Sequence, residues 1–147
     1  MLVPDGTDSV MRPPRAAQPL AEAAAVAQMH SRFVARALDA AVGANPTRRI
    51  DFLIALAAVP WSQEHIARHW RDLLAKDGAL GVGASVLDRL ARQLRRLRRD
   101  VVLGTLVRDV AGSAPLEEVM TAMTALAEIA VAQALPEIGR ASCRERV

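Results

Sequence analysis

Aromatic side chains are almost missing from this chain. Phe, Trp and Tyr together make up 3% of its 147 residues, and tyrosine is absent. β-Sheets lean on aromatic and β-branched residues to cover a pleated face, so the scarcity argues against one. Hydrophobic residues nevertheless reach 52%, and many are Ala and Leu, the strong helix formers. An all-α fold is expected, and the chain is long enough for one domain with its own core. Long apolar runs are missing too. The longest, Phe52 to Val59, is stopped by Pro60, far short of the ~20 residues of a membrane span. Met1 to Gln18 carries acidic residues and Pro13-Pro14 where a signal peptide would be apolar. That segment is expected to be disordered or loosely attached, and the protein to be cytoplasmic.

Cysteine is nearly absent as well, with Cys143 the single one. It lies in a C-terminal stretch, 137–147, that follows Pro136 and lacks an amphipathic period. Back-translated in frame, residues 138–147 also match a common short-read sequencing adapter, whose next codon is a stop. The expectation is that 137–147 is an artefactual tail and that the natural protein continues past about Leu135. The formal charge of +3 then loses its weight: without residues 138–147, 16 basic and 15 acidic residues remain. Cys143 on this reading carries no redox meaning.

What is present is helical periodicity, divided by Pro, Gly and capping residues. Pro19 suits the start of a first helix reaching about Val42 before Gly43, with Leu20, Val26, Met29, Phe33, Val34 and Leu38 inward. Asn45-Pro46-Thr47 marks a turn and a new start. A short second helix with Ile50, Phe52, Leu53, Leu56 and Val59 ends at Pro60. Ser62 can cap a third, with Trp61 before it, Ile66, Trp70, Leu73 and Leu74 inward, and Asp77-Gly78 closing it. Gly78 to Gly83 reads as a flexible connection.

Ser85-Val86-Leu87-Asp88 resembles a capping box. Leu87, Leu90, Leu94, Leu97 and Val101 then form one helical stripe that should end near Ala111 at Gly112. Pro115 opens a last helix, with Leu116, Val119, Met120, Met123, Leu126, Ala127 and Ala130 inward and Pro136 as its end. The short Gly112-Ser113-Ala114 link makes the last two helices antiparallel. The expected fold is therefore all-α, with four to five helices, the last two long and antiparallel.

Residues that could carry chemistry are few. His65 and His69 have the i, i+4 spacing of two metal ligands. The glutamate of a His-Glu-x-x-His site is missing, however, and nothing suggests a third ligand. They read as partly exposed surface histidines, and His30 stands alone. Ser113 lacks a nucleophile elbow and fits a turn. Gly78, Gly81 and Gly83 follow no strand and precede no lysine, so no phosphate cradle is expected. No catalytic, cofactor-binding or metal-binding residue is assigned.

The conspicuous polar feature is Arg89, Arg92, Arg95, Arg96, Arg98 and Arg99 on the helix that follows Ser85. Arg92, Arg95, Arg96 and Arg99 share one side, opposite the leucine stripe. Three readings stand open: a solvated face partly paired with Asp88 and Asp100, a contact with another domain of the same protein, or a phosphate contact with nucleic acid.

The order of segments adds a resemblance. Leu90-Ala-Arg-Gln-Leu-Arg-Arg-Leu-Arg-Arg-Asp-Val-Val-Leu is followed by Leu106-Val-Arg-Asp-Val-Ala-Gly and by Ala114-Pro-Leu-Glu-Glu-Val-Met-Thr-Ala-Met-Thr-Ala-Leu-Ala-Glu. Together they resemble the bifunctional glutamine synthetase adenylyltransferase/adenylyl-removing enzymes. Ser31-Arg-Phe-Val-Ala-Arg-Ala-Leu-Asp-Ala resembles an earlier segment of that family. The likeness is good over Ser85 to Leu135 and weaker before it. It implies that residues 19–136 form a helical preface to a first nucleotidyltransferase domain missing from this chain. The family's motifs of the type Gly-Met-Gly-Lys-Leu-Gly-Gly and Ser-Ser-Asp-x-Asp are not in this sequence. The resemblance further implies that a complete parent uses ATP and Mg²⁺ to place AMP on glutamine synthetase or to remove it, under the PII signal protein. This chain alone is expected to be inactive. A free-standing basic helical module that binds nucleic acid or a regulator is the alternative.

Overall fold

The computed structural model describes residues 19–77 and 85–144, with only the backbone given for 77 and 141–144. The expected loose segment Met1 to Gln18, the Gly78 to Gly83 connection and the side chain of Cys143 lie outside the described residues. Six α-helices follow one another: α1 Leu20–His30, α2 Arg32–Val42, α3 Pro46–Ala57, α4 Gln63–Asp77, α5 Val86–Val110 and α6 Leu116–Arg144. No strand occurs among the described residues. Among the described residues the fold is all-α, with six helices instead of four to five.

The additional helix comes from a break at Ser31. Its backbone is extended, with φ −118° and ψ 110°, and its hydroxyl accepts the Val34 N–H at 3.3 Å. A serine that satisfies an orphan N–H restarts the helix in a new direction. The break lets α1 bury Ala23, Ala24 and Ala27 while α2 buries Val34 and Leu38. The inward face expected for one continuous helix is therefore partly wrong, because Met29 and Phe33 are exposed.

Capping residues set the other starts. Asn45 accepts the Arg48 N–H at 3.1 Å, and Pro46 occupies the first turn of α3, where no N–H is needed. Ser62 accepts the His65 N–H at 3.2 Å, and Ser85 accepts the Asp88 N–H at 3.0 Å. At the end of α5, Gly112 has φ +73°. The Ser113 N–H reaches the Arg108 carbonyl at 2.8 Å, and the Gly112 N–H reaches Asp109 at 2.9 Å. These two bonds are a Schellman closure, which requires a residue tolerant of positive φ.

Helix α5 is the spine and packs on α1, α3, α4 and α6. Its C-terminal half, through Leu103, Val107 and the following Ala111, joins a core with Ala23, Ala27, Val34, Leu38, Leu53 and Ala57. Its middle, through Leu97 and Val101, joins a second core with Trp61, Ile66, Trp70, Ala122 and Ala125. Early α5 residues Val86 and Leu90 line a cavity with late α6 residues Gln133 and Glu137, whereas Arg108 meets Glu118. The two long helices are therefore antiparallel, as expected.

Helix α6 departs from expectation twice. Its buried residues are Ala122 and Ala125, while Leu116 and Met120 are 71% and 61% exposed. Met123 and Leu126 pack partly buried against the second core as expected, so the contact face is shifted toward Ala122 and Ala125 and away from Leu116 and Met120. Small alanines let α4 and α5 approach closely, and a helix apolar on most sides does not mark its own inner face. The helix also continues through Pro136 to Arg144. Proline removes the N–H that would meet the Ala132 carbonyl. Both residues are exposed, so solvent can take that bond. The stretch Leu116–Arg140 is long and apolar enough to cross a membrane by length and composition, which the sequence's short apolar runs did not suggest. Glu117, Glu118 and Glu128 within it would be costly in hydrocarbon, and the helix packs on α4 and α5 instead.

Candidate interaction surface

The arginines stand on the N-terminal half of α5. That end is fixed by Ser85, whose hydroxyl donates to the Asp88 carboxylate at 2.7 Å while accepting the Asp88 N–H. One turn further on the arginines begin. Arg92, Arg95, Arg96 and Arg98 are exposed. None of these four makes a hydrogen bond or ion pair among the described residues. Arg99 differs. Its Nε donates to Asp100 Oδ1 at 2.8 Å, and its guanidinium carbon lies 5.5 Å from the centroid of the Phe52 ring. Arg92, Arg95 and Arg96 therefore form one bare cationic flank, and Arg99 is drawn into the packing below it. Of the two aspartates expected to pair with this face, Asp100 meets Arg99, and Asp88 accepts the Ser85 hydroxyl.

The histidines hold structure together. His65 Nδ1 lies 3.0 Å from the Pro60 carbonyl, and its ring stacks on Trp61 with centroids 4.6 Å apart. His69 Nε2 lies 2.9 Å from Asp100 Oδ2, and its ring meets Trp61 edge-on. An ionised carboxylate only accepts, so His69 carries its proton on Nε2. Asp100, 4% exposed, thus has a histidine on one oxygen and an arginine on the other. Trp61 donates its indole N–H to the Leu56 carbonyl at 2.9 Å. Gly104 lies one turn beyond Asp100 on α5, where the helix passes the Trp61 indole. The spacing Gln93, Leu97, Asp100, Gly104 is itself a helical stripe beside the leucines, and that signal was available.

Among the described residues no three His, Cys, Asp or Glu side chains come together as a metal site.

By fold and surface, the chain is a helical module with one bare arginine flank. Residues 18–147 match the glutamate-ammonia ligase adenylyltransferase family, and the chain belongs to that family. It is also 54% identical over 46 residues to the bifunctional glutamine synthetase adenylyltransferase/adenylyl-removing enzyme of Nitrosomonas europaea. That similarity covers 31% of this chain and only 5% of the relative. No solved structure matches.

Proposed function

We propose that this chain is a non-catalytic helical part of an enzyme that adenylylates and deadenylylates glutamine synthetase in the control of nitrogen assimilation. The family match over residues 18–147 carries this reading, and the relative's name supplies the reaction. In the proposal the parent enzyme is cytoplasmic. It binds ATP and Mg²⁺ in a nucleotidyltransferase domain that follows this region, and it answers to the PII protein. The bare flank Arg92, Arg95 and Arg96 faces that domain. A guanidinium fork meets carboxylates with two parallel hydrogen bonds, which suits it to such an interface. Arg99 supports the flank from below through Asp100.

The test uses the intact enzyme. Arg92→Gln with Arg96→Gln should lower the activity or stability of the first catalytic half and leave the isolated second half unaffected. Unchanged activity and stability of the first half would refute the interdomain role. The bare arginines also support a nucleic-acid reading, which predicts binding that falls by about 0.9 log units per phosphate contact for each log unit of salt. Only weak, nonspecific binding that vanishes near physiological salt is expected here.

A further inference from the structure

Beside the arginine flank, α5 and α6 leave an open groove of about 330 Å³, lined by Leu94, Arg95, Arg98, Met123, Leu126, Ala127 and Ala130. Its floor and far wall are apolar, and its two charged residues both come from α5, on the same side. Neither Arg95 nor Arg98 has a hydrogen-bond or ion-pair partner among the described residues. From Met123 to Ala130 the wall runs about 10 Å along the helix, two turns. Side chains of an incoming helix at i, i+3 or i+4 and i+7 span the same length. Ala127 and Ala130 keep the floor shallow enough for a helix backbone to come near.

We infer that this groove docks an acidic amphipathic helix of a protein partner, with its apolar stripe on Leu94, Met123, Leu126 and Ala127 and its carboxylates against Arg95 and Arg98. Charge complementarity selects this occupant. A basic helix would meet two uncompensated guanidinium groups. A nucleic acid would satisfy the arginines and leave the apolar wall uncovered. Arg95 is the one residue shared with the proposed interdomain flank and stands at the border between the two surfaces; the inference otherwise rests on the groove and not on the reading of the parent enzyme.

The probe is a short fluorescein-labelled helical peptide with leucines at i, i+3, i+4 and i+7 and glutamates on its flanks, titrated against the 147-residue chain by fluorescence anisotropy. Saturable binding is expected, weakening as salt rises. Arg95→Glu with Arg98→Glu should weaken it by about tenfold or more. Ala127→Trp, at an exposed position, should block the groove while circular dichroism stays unchanged. Arg36→Glu, on α2, should leave binding as it is. Equal binding of a peptide with lysines in place of the glutamates would overturn the inference. So would indifference to the Arg95 and Arg98 reversals, or a dimer in sedimentation that the Ala127→Trp change abolishes, since the occupant would then be a second copy.

Discussion

The Arg108 guanidinium grips the Glu118 carboxylate with both prongs, Nε to Oε1 at 2.7 Å and Nη2 to Oε2 at 3.1 Å. The same arginine donates to the carbonyls of Ala57 and Ser113, each at 3.3 Å. One side chain thus joins the end of α3, the tight link and the first turn of α6. Arg108 and Glu118 lie in the two neighbouring segments that carry the family resemblance, so the pair gives those segments a structural reason to occur together.

Both side chains are nearly buried, at 11% and 13% exposure, so removing one partner leaves a charge with little water. Arg108→Gln should destabilise the chain by about 3 kcal/mol. Arg108→Lys should recover only part of that, because an ammonium cannot make the two-pronged contact. Urea unfolding measures both, and a wild-type midpoint for Arg108→Gln would contradict the clamp.

Gly104 lies where α5 passes the Trp61 indole. A Cβ built there comes within 2.6 Å of the Leu56 carbonyl oxygen and overlaps the indole nitrogen. Alanine would gain about 1 kcal/mol of helix propensity. It would lose about 1–3 kcal/mol to overpacking, and the obstacle is backbone that cannot swing aside. Gly104→Ala should therefore destabilise, with a change in Trp fluorescence from the broken Trp61–Leu56 bond. A raised thermal midpoint would show that the crossing is looser than described.

Gln93 is 1% exposed, and among the described residues neither end of its amide has a hydrogen-bond partner. An orphaned buried polar group costs about 1–3 kcal/mol. Gln93→Leu removes both orphaned atoms at similar volume and should stabilise the chain by about 1 kcal/mol or more. Loss of stability in thermal unfolding would mean that the amide is satisfied in solution.

Much of this architecture was legible because it is written in short-range chemistry. Asn45, Ser62 and Ser85 act as caps and Gly112 as a stop, each through bonds spanning five residues or fewer. The leucine stripe placed Leu97 and Val101 correctly in the core. Ser31 was hidden because its helix-breaking role depends on where α1 and α2 must each send their alanines and valines. The face of α6 was hidden because Leu116 and Met120 are larger than Ala122 and Ala125, and size was read as burial. On α5, polar identity masked Asp100, which is buried because His69 and Arg99 supply its donors from α4 and from its own helix. The same cause separates Arg99 from Arg92, Arg95 and Arg96, which periodicity alone had grouped together.

The central claim is that this helical region belongs to the adenylyltransferase family and does no chemistry of its own. It is tested most directly by incubating the purified chain with glutamine synthetase and Mg²⁺, supplying labelled ATP in one reaction and adenylylated glutamine synthetase with phosphate in the other. The account predicts neither incorporation nor release of AMP above a boiled control. Sustained turnover in either direction would contradict it and would require a catalytic site that these residues do not reveal.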